Sequence, residues 1–149
     1  MLKSQIDAAT NNDSMIDSSA TTIQTARRIL FVDDEFDVRR VVQTCLEKIA
    51  HWTVIVAESG EEGLRKARTE HPDAIVLDVM MPGMDGYQFL NALLLQPETR
   101  SIPVVLLTAK ADSLDVKQYE VMGIKGLIGK PFNPLTLHRE VAACLNWSV

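Results

Sequence analysis

The feature that most constrains this chain is a short apolar run that recurs without polar alternation. Ile29-Leu30-Phe31-Val32, Thr53 to Ala57, Ala74-Ile75-Val76-Leu77, Val104-Val105-Leu106-Leu107 and Lys125 to Gly129 are five strand-length segments, most of them almost purely aliphatic. A strand with one wet face alternates polar and apolar residues, whereas a strand covered by helices on both faces does not. Between the runs the apolar residues return at helical spacing. Val38, Val41, Val42, Cys45, Leu46 and Ile49 form one such stripe. Ser59-Gly60-Glu61-Glu62 fits a capping box, with Ser59 accepting an orphan amide and Glu62 reaching back. Gly63, Leu64 and Ala67 then face inward until His71-Pro72 stops the helix. Asp85 and Gln88 form a second box ahead of Phe89, Leu90, Leu93 and Leu94. Asp112 opens a fourth helix with Leu114, Tyr119 and Met122 inside, closed by Gly123. Asn133-Pro134 opens a fifth, with Leu137, Val141, Ala142 and Leu145 inside. Strands and helices alternating in this way predict an α/β fold. The expected architecture is a five-stranded parallel sheet with helices on both faces, flavodoxin-like, in strand order 2-1-3-4-5.

Residues 1–26 are dominated by Ser, Thr, Asn and Asp and carry no lasting period, so they are expected to form a flexible leader to a domain spanning 27–149. At 149 residues there is material for one ordinary domain, and no effector domain is expected after the fifth helix. The net charge of -5 argues against a nucleic-acid-binding surface. No apolar run reaches the ~20 residues that span a bilayer, and no secretory signal is evident. Cys45 and Cys144 have no Cys-x-x-Cys context and read as reduced thiols in a cytoplasmic protein. Asp37, Arg39 and Arg40 read as a solvated helix face, and Trp147 either docks on a partner or folds back.

In a parallel sheet the C-terminal strand ends share one edge, and that edge is where such folds bind ligands. Here those ends carry Asp33 and Asp34, Asp78, Thr108 and Lys130. Three clustered carboxylates repel unless a cation neutralises them. Mg2+ suits oxygen donors, while a lysine and a hydroxyl beside it would bind an anion. The combination describes phosphoryl transfer, with Asp78 as nucleophile. No Gly-x-x-x-x-Gly-Lys-Ser/Thr loop or Gly-x-Gly-x-x-Gly turn is present to hold a nucleotide.

Four segments in order carry a family resemblance: Phe31-Val32-Asp33-Asp34, Leu77-Asp78-Val79-Met80-Met81-Pro82-Gly83-Met84-Asp85-Gly86, Leu107-Thr108-Ala109 and Gly129-Lys130-Pro131-Phe132. Residues 28–146 resemble the receiver domain of bacterial two-component response regulators, in its stand-alone, chemotaxis-receiver-like form. The resemblance implies that Asp78 takes a phosphoryl group from a histidine kinase or histidine phosphotransfer protein. It implies that Asp34 and Asp78 bind Mg2+ directly, with Asp33 assisting through water and the backbone carbonyl of Met80 completing the protein ligands. Thr108 and Lys130 would contact the phosphoryl group, and the Lys130-Pro131 bond is expected to be cis. Phosphorylation would signal by phosphorelay or by binding a separate output protein, through a switch including Thr108. Met80 and Lys110 would flank the mouth of the pocket, and homodimers pairing through the fourth and fifth helices are within the family's repertoire. One departure stands out: Leu127 occupies the position, three before the lysine, where receivers usually carry Tyr or Phe. Three other readings are a phosphorylation-independent pseudo-receiver, a Mg2+-dependent aspartyl-phosphate phosphohydrolase and a flavin-binding module. The second is disfavoured by Met80 where such enzymes place a second acid, and the third by Asp33 and Asp34 in the first loop.

Overall fold

The computed structural model describes residues 26–109 and 116–148. The elements, in chain order, are β1 (Arg28–Val32), α1 (Phe36–Ile49), β2 (Thr53–Ala57), α2 (Gly60–Glu70), β3 (Ala74–Asp78), α3 (Gly86–Leu94), β4 (Val104–Thr108), α4 (Val116–Val121), β5 (Gly126–Gly129) and α5 (Leu137–Leu145). All strands are parallel in the order β2-β1-β3-β4-β5, as the alternation predicts. The leader expected over residues 1–26 lies outside the described residues except for Ala26, as do Lys110, Asp112 and Leu114.

Alternate residues along the strands feed two separate cores. Ile29, Phe31, Val76, Val105 and Leu107 pack on one face with Val42 and Leu46 of α1 and Leu137 and Val141 of α5. Leu30, Val32, Ile75, Leu77 and Leu106 pack on the other with Ala67 of α2 and Phe89, Leu90 and Leu93 of α3. All five residues of β3 and of β4 are buried, which explains their unbroken apolar runs. Gly126 has no room for a Cβ, because Cys144 of α5 lies against it.

Several local expectations need correction. Val41, Ile49 and Leu94 are exposed, because α1 and α3 each bury a narrower stripe than their apolar content suggests. Ser59 accepts from the Glu62 amide as a cap should, but the Glu62 carboxylate reaches one residue further back, to the amide of Glu58. That bond, followed by Lys66 and Arg65 against the cost of partial burial, holds the Glu62 carboxyl below the usual range. Asp85 and Gln88 do form the full reciprocal box. The fifth strand starts at Gly126 rather than Lys125. The last helix starts at Leu137, because the Asn133 side chain accepts from the Leu135 amide and closes a turn that absorbs Pro134. Trp147 folds back: its ring meets Trp52 edge-on at 5.5 Å, with the Arg27 guanidinium 4.4 Å from its centroid.

Candidate functional site

The loops that leave β1, β3 and β5 converge at the C-terminal edge of the sheet. Asp33 follows β1 directly, and its amide donates to the Ala57 carbonyl, extending the sheet by one bond. Asp78 is the last residue of β3, pinned by the Val79 amide bonding Leu107. Lys130 follows β5, held by its own amide on the Thr108 carbonyl. The Lys130-Pro131 bond is cis, as expected. Each of these groups thus sits at the end of a hydrogen-bonded strand or one residue past it, where the backbone has little freedom.

Asp33 is wholly buried and Asp78 is 4 % exposed. Lys130 Nζ bridges them, 3.3 Å from Asp33 Oδ2 and 3.1 Å from Asp78 Oδ2. The remaining oxygens are also engaged. Asp33 Oδ1 accepts from the Glu35 amide at 2.9 Å, and Asp78 Oδ1 accepts from the Met80 amide at 3.1 Å. Asp34 is exposed and turns toward the same space: oxygens of Asp33, Asp34 and Asp78 all lie within 4.8 Å of one another. Burial pushes the Asp78 carboxyl above its ordinary range; the Met80 amide opposes this, Asp33 adds to it, and Lys130 opposes it. For Lys130, burial works to lower the pKa, but the charges of Asp33 and then Asp78 outweigh it and the net shift is upward. The site therefore gathers three carboxylates around one ammonium, and its negative charge is under-compensated.

Thr108 is buried at the end of β4, level with Gly129 across the β4–β5 pair. Met80 lies beyond Asp78, with its side chain exposed at the mouth of a cleft of about 600 Å³. That cleft runs from Asp78 and Lys130 to an apolar wall that includes Val38, Val41, Pro131 and Phe132. Leu127 is not at the site. It lies on β5, half-buried on the face that holds Tyr119, whose ring stacks edge-on with Tyr87 at 6.3 Å. Arg39 also departs from its sequence reading as a solvated group. It is half-buried, and its Nη1 donates to the Asp33 carbonyl at 2.8 Å.

The family described as the response regulator receiver domain matches residues 29–142, which takes in every residue of the site. This chain belongs to the response regulator receiver domain family. The receiver fold is shared with chemotaxis protein CheY4 of Vibrio cholerae, at a TM-score of 0.74 and 32% identity, covering 80% of this chain and 99% of that one. Protein PilH of Pseudomonas aeruginosa is 36% identical over 118 residues, 79% of this chain and 97% of PilH. The receiver domain of sensor histidine kinase PA1611 from the same species, solved with a magnesium ion coordinated in its active site cleft, gives a TM-score of 0.71 at 26% identity, covering 82% of this chain and 99% of that one. The chain spans about half the length of the curated transcriptional regulators it also matches. As a receiver domain it is a component of two-component signalling rather than an enzyme of the ordinary kind.

Proposed function

We propose that this receiver accepts a phosphoryl group on Asp78 from the phosphohistidine of a histidine kinase or histidine phosphotransfer protein, with Mg2+ as cofactor. The observation that carries this reading is the buried Asp78 carboxylate bridged by Lys130 at 3.1 Å and flanked by Asp33 and Asp34. The donor set suits a hard divalent ion, being all carboxylate oxygen with more negative charge than Lys130 offsets. Asp33, Asp34, Asp78 and the Met80 carbonyl would hold it. When bound, Mg2+ supplies charge neutralisation for the transferring phosphoryl oxygens.

In the reaction, a carboxylate oxygen of Asp78 attacks phosphorus, the P–N bond breaks, and the imidazole leaves with that electron pair. Lys130 then moves its ammonium from carboxylate to phosphoryl oxygens, and the Thr108 hydroxyl donates to another. Hydrolysis of the acyl phosphate by water returns the Asp78 carboxylate and inorganic phosphate. The phosphoryl group brings nearly two negative charges next to Thr108, and drawing that hydroxyl in would displace the loop after β4. Leu127 then gives a smaller surface change than an aromatic ring at its place, so the coupling to an output protein rests more on α4 and its Tyr119. The same reading puts the domain in the reducing cytoplasm, in keeping with its two free cysteines.

Incubation with a purified, phosphohistidine-bearing phosphotransfer domain tests the proposal. Label should move to the peptide containing Asp78 in a Mg2+-dependent way. Transfer that persists in Asp78→Asn would overturn it.

A further inference from the structure

We infer that Arg39 is a positioning residue for the divalent-cation site, acting through the peptide between Asp33 and Asp34. This rests on the Mg2+-binding reading above. Arg39 lies on the first turns of α1, one helical turn after Glu35, and its own amide bonds the Glu35 carbonyl at 3.0 Å. From there its guanidinium reaches back over the β1–α1 loop and donates to the Asp33 carbonyl at 2.8 Å. That carbonyl belongs to the peptide plane from which Asp34 departs. Beyond the Asp33 amide bond to Ala57 that extends the sheet, the loop is tied through Asp33 Oδ1 to the Glu35 amide, Asp33 Oδ2 to Lys130, and the Asp33 carbonyl to Arg39. The first two ties fix the Asp33 side chain. The last, among the described residues, is the side-chain bond made directly to the peptide that aims Asp34, the exposed carboxylate of the cluster. The Phe36 ring centroid lies 5.7 Å from the Arg39 guanidinium carbon, a cation–π contact.

Charge and position make opposite predictions here. Arg39 carries a positive charge near a cation site, so by Coulomb repulsion alone its removal would tighten cation binding. If it acts by orienting the loop, its removal leaves Asp34 to be ordered at the moment of binding, and affinity falls. Groups that orient metal ligands typically contribute about 10–100-fold in affinity. The expected loss for Arg39→Ala is at the lower end, because only one of the carboxylates depends on it.

Calorimetric titration of the full chain with Mg2+, and with Mn2+ as a second ion, decides the matter beside a urea unfolding curve without metal. Arg39→Ala should weaken both ions about 10-fold, and Arg39→Lys, which keeps a donor, should recover part of the loss. Unchanged or tighter binding in Arg39→Ala, whatever its stability, would overturn the inference. Failure of the wild-type chain to bind either ion would instead overturn the Mg2+ reading on which it rests.

Discussion

The two ends of β1 carry the same kinds of bond and put them to different uses. At the N-terminal end, Arg28 donates to the Glu70 carbonyl at 2.8 Å and to its carboxylate at 3.3 Å, while the Arg28 amide donates to Asp73 at 2.8 Å. The paired side chains there are 35% and 47% exposed. At the C-terminal end, Lys130 bridges Asp33 and Asp78, whose side chains are 0% and 5% exposed. Water screens the first pair, so it fastens the end of a strand and little more. The second is desolvated and unbalanced, with Asp34 bringing a third carboxylate to a single ammonium. Ion pairs at a strand end therefore carry no functional meaning by themselves. Burial combined with excess charge of one sign is what separates a site from a fastening.

The contrast can be broken at its strongest point first. Lys130→Ala leaves two buried carboxylates facing one another without a counter-charge. In the absence of metal this should cost about 3 kcal/mol of stability in urea unfolding. A loss as small as that of a surface substitution would mean that the bridge is not desolvated. Asp78→Asn should act in the opposite direction. The Asp78 carboxyl is raised in the folded protein, chiefly by burial, so the native state holds its proton more tightly than the unfolded chain. Stability of the metal-free wild type should rise as pH falls from the raised value toward the ordinary carboxylate range. Asp78→Asn should remove that slope and raise stability at neutral pH. A destabilised variant would show that the Lys130 bond outweighs the burial of the charge. The smallest effect belongs to the other end of the strand. Glu70→Gln keeps the carbonyl that accepts from Arg28 and removes only a half-exposed charge, so it should change stability by less than about 0.5 kcal/mol and gain nothing from low salt beyond that.

Much of this arrangement is legible in the sequence. β3 and β4 are buried on both faces, so their apolar runs stand out without alternation, and the polar residue closing each run marks the sheet edge. Asp33, Asp78, Thr108 and Lys130 could be placed at one edge from that logic alone. Features that depend on where a long side chain turns were not legible. Arg39 has the spacing of a surface residue, and only the path of the β1–α1 loop brings a carbonyl within its reach. Glu62 finds the Glu58 amide instead of the Ser59 amide for the same reason. Val41 and Ile49 match the helical period, but the stripe that α1 buries is narrower than that period and leaves them exposed. The start of α5 was hidden because Asn133 can cap either a helix or a turn, and here it closes the turn. Trp147 is separated from Trp52 by most of the domain, so their contact has no local signal.

On the proposed function, the under-compensated C-terminal edge takes a phosphoryl group on Asp78. Intact mass after incubation with Mg2+ and acetyl phosphate tests it most directly. A single phosphoryl adduct is expected, disappearing in Asp78→Asn and when the divalent ion is chelated. An adduct that survives the Asp78 substitution, or forms equally well in chelator, would contradict it.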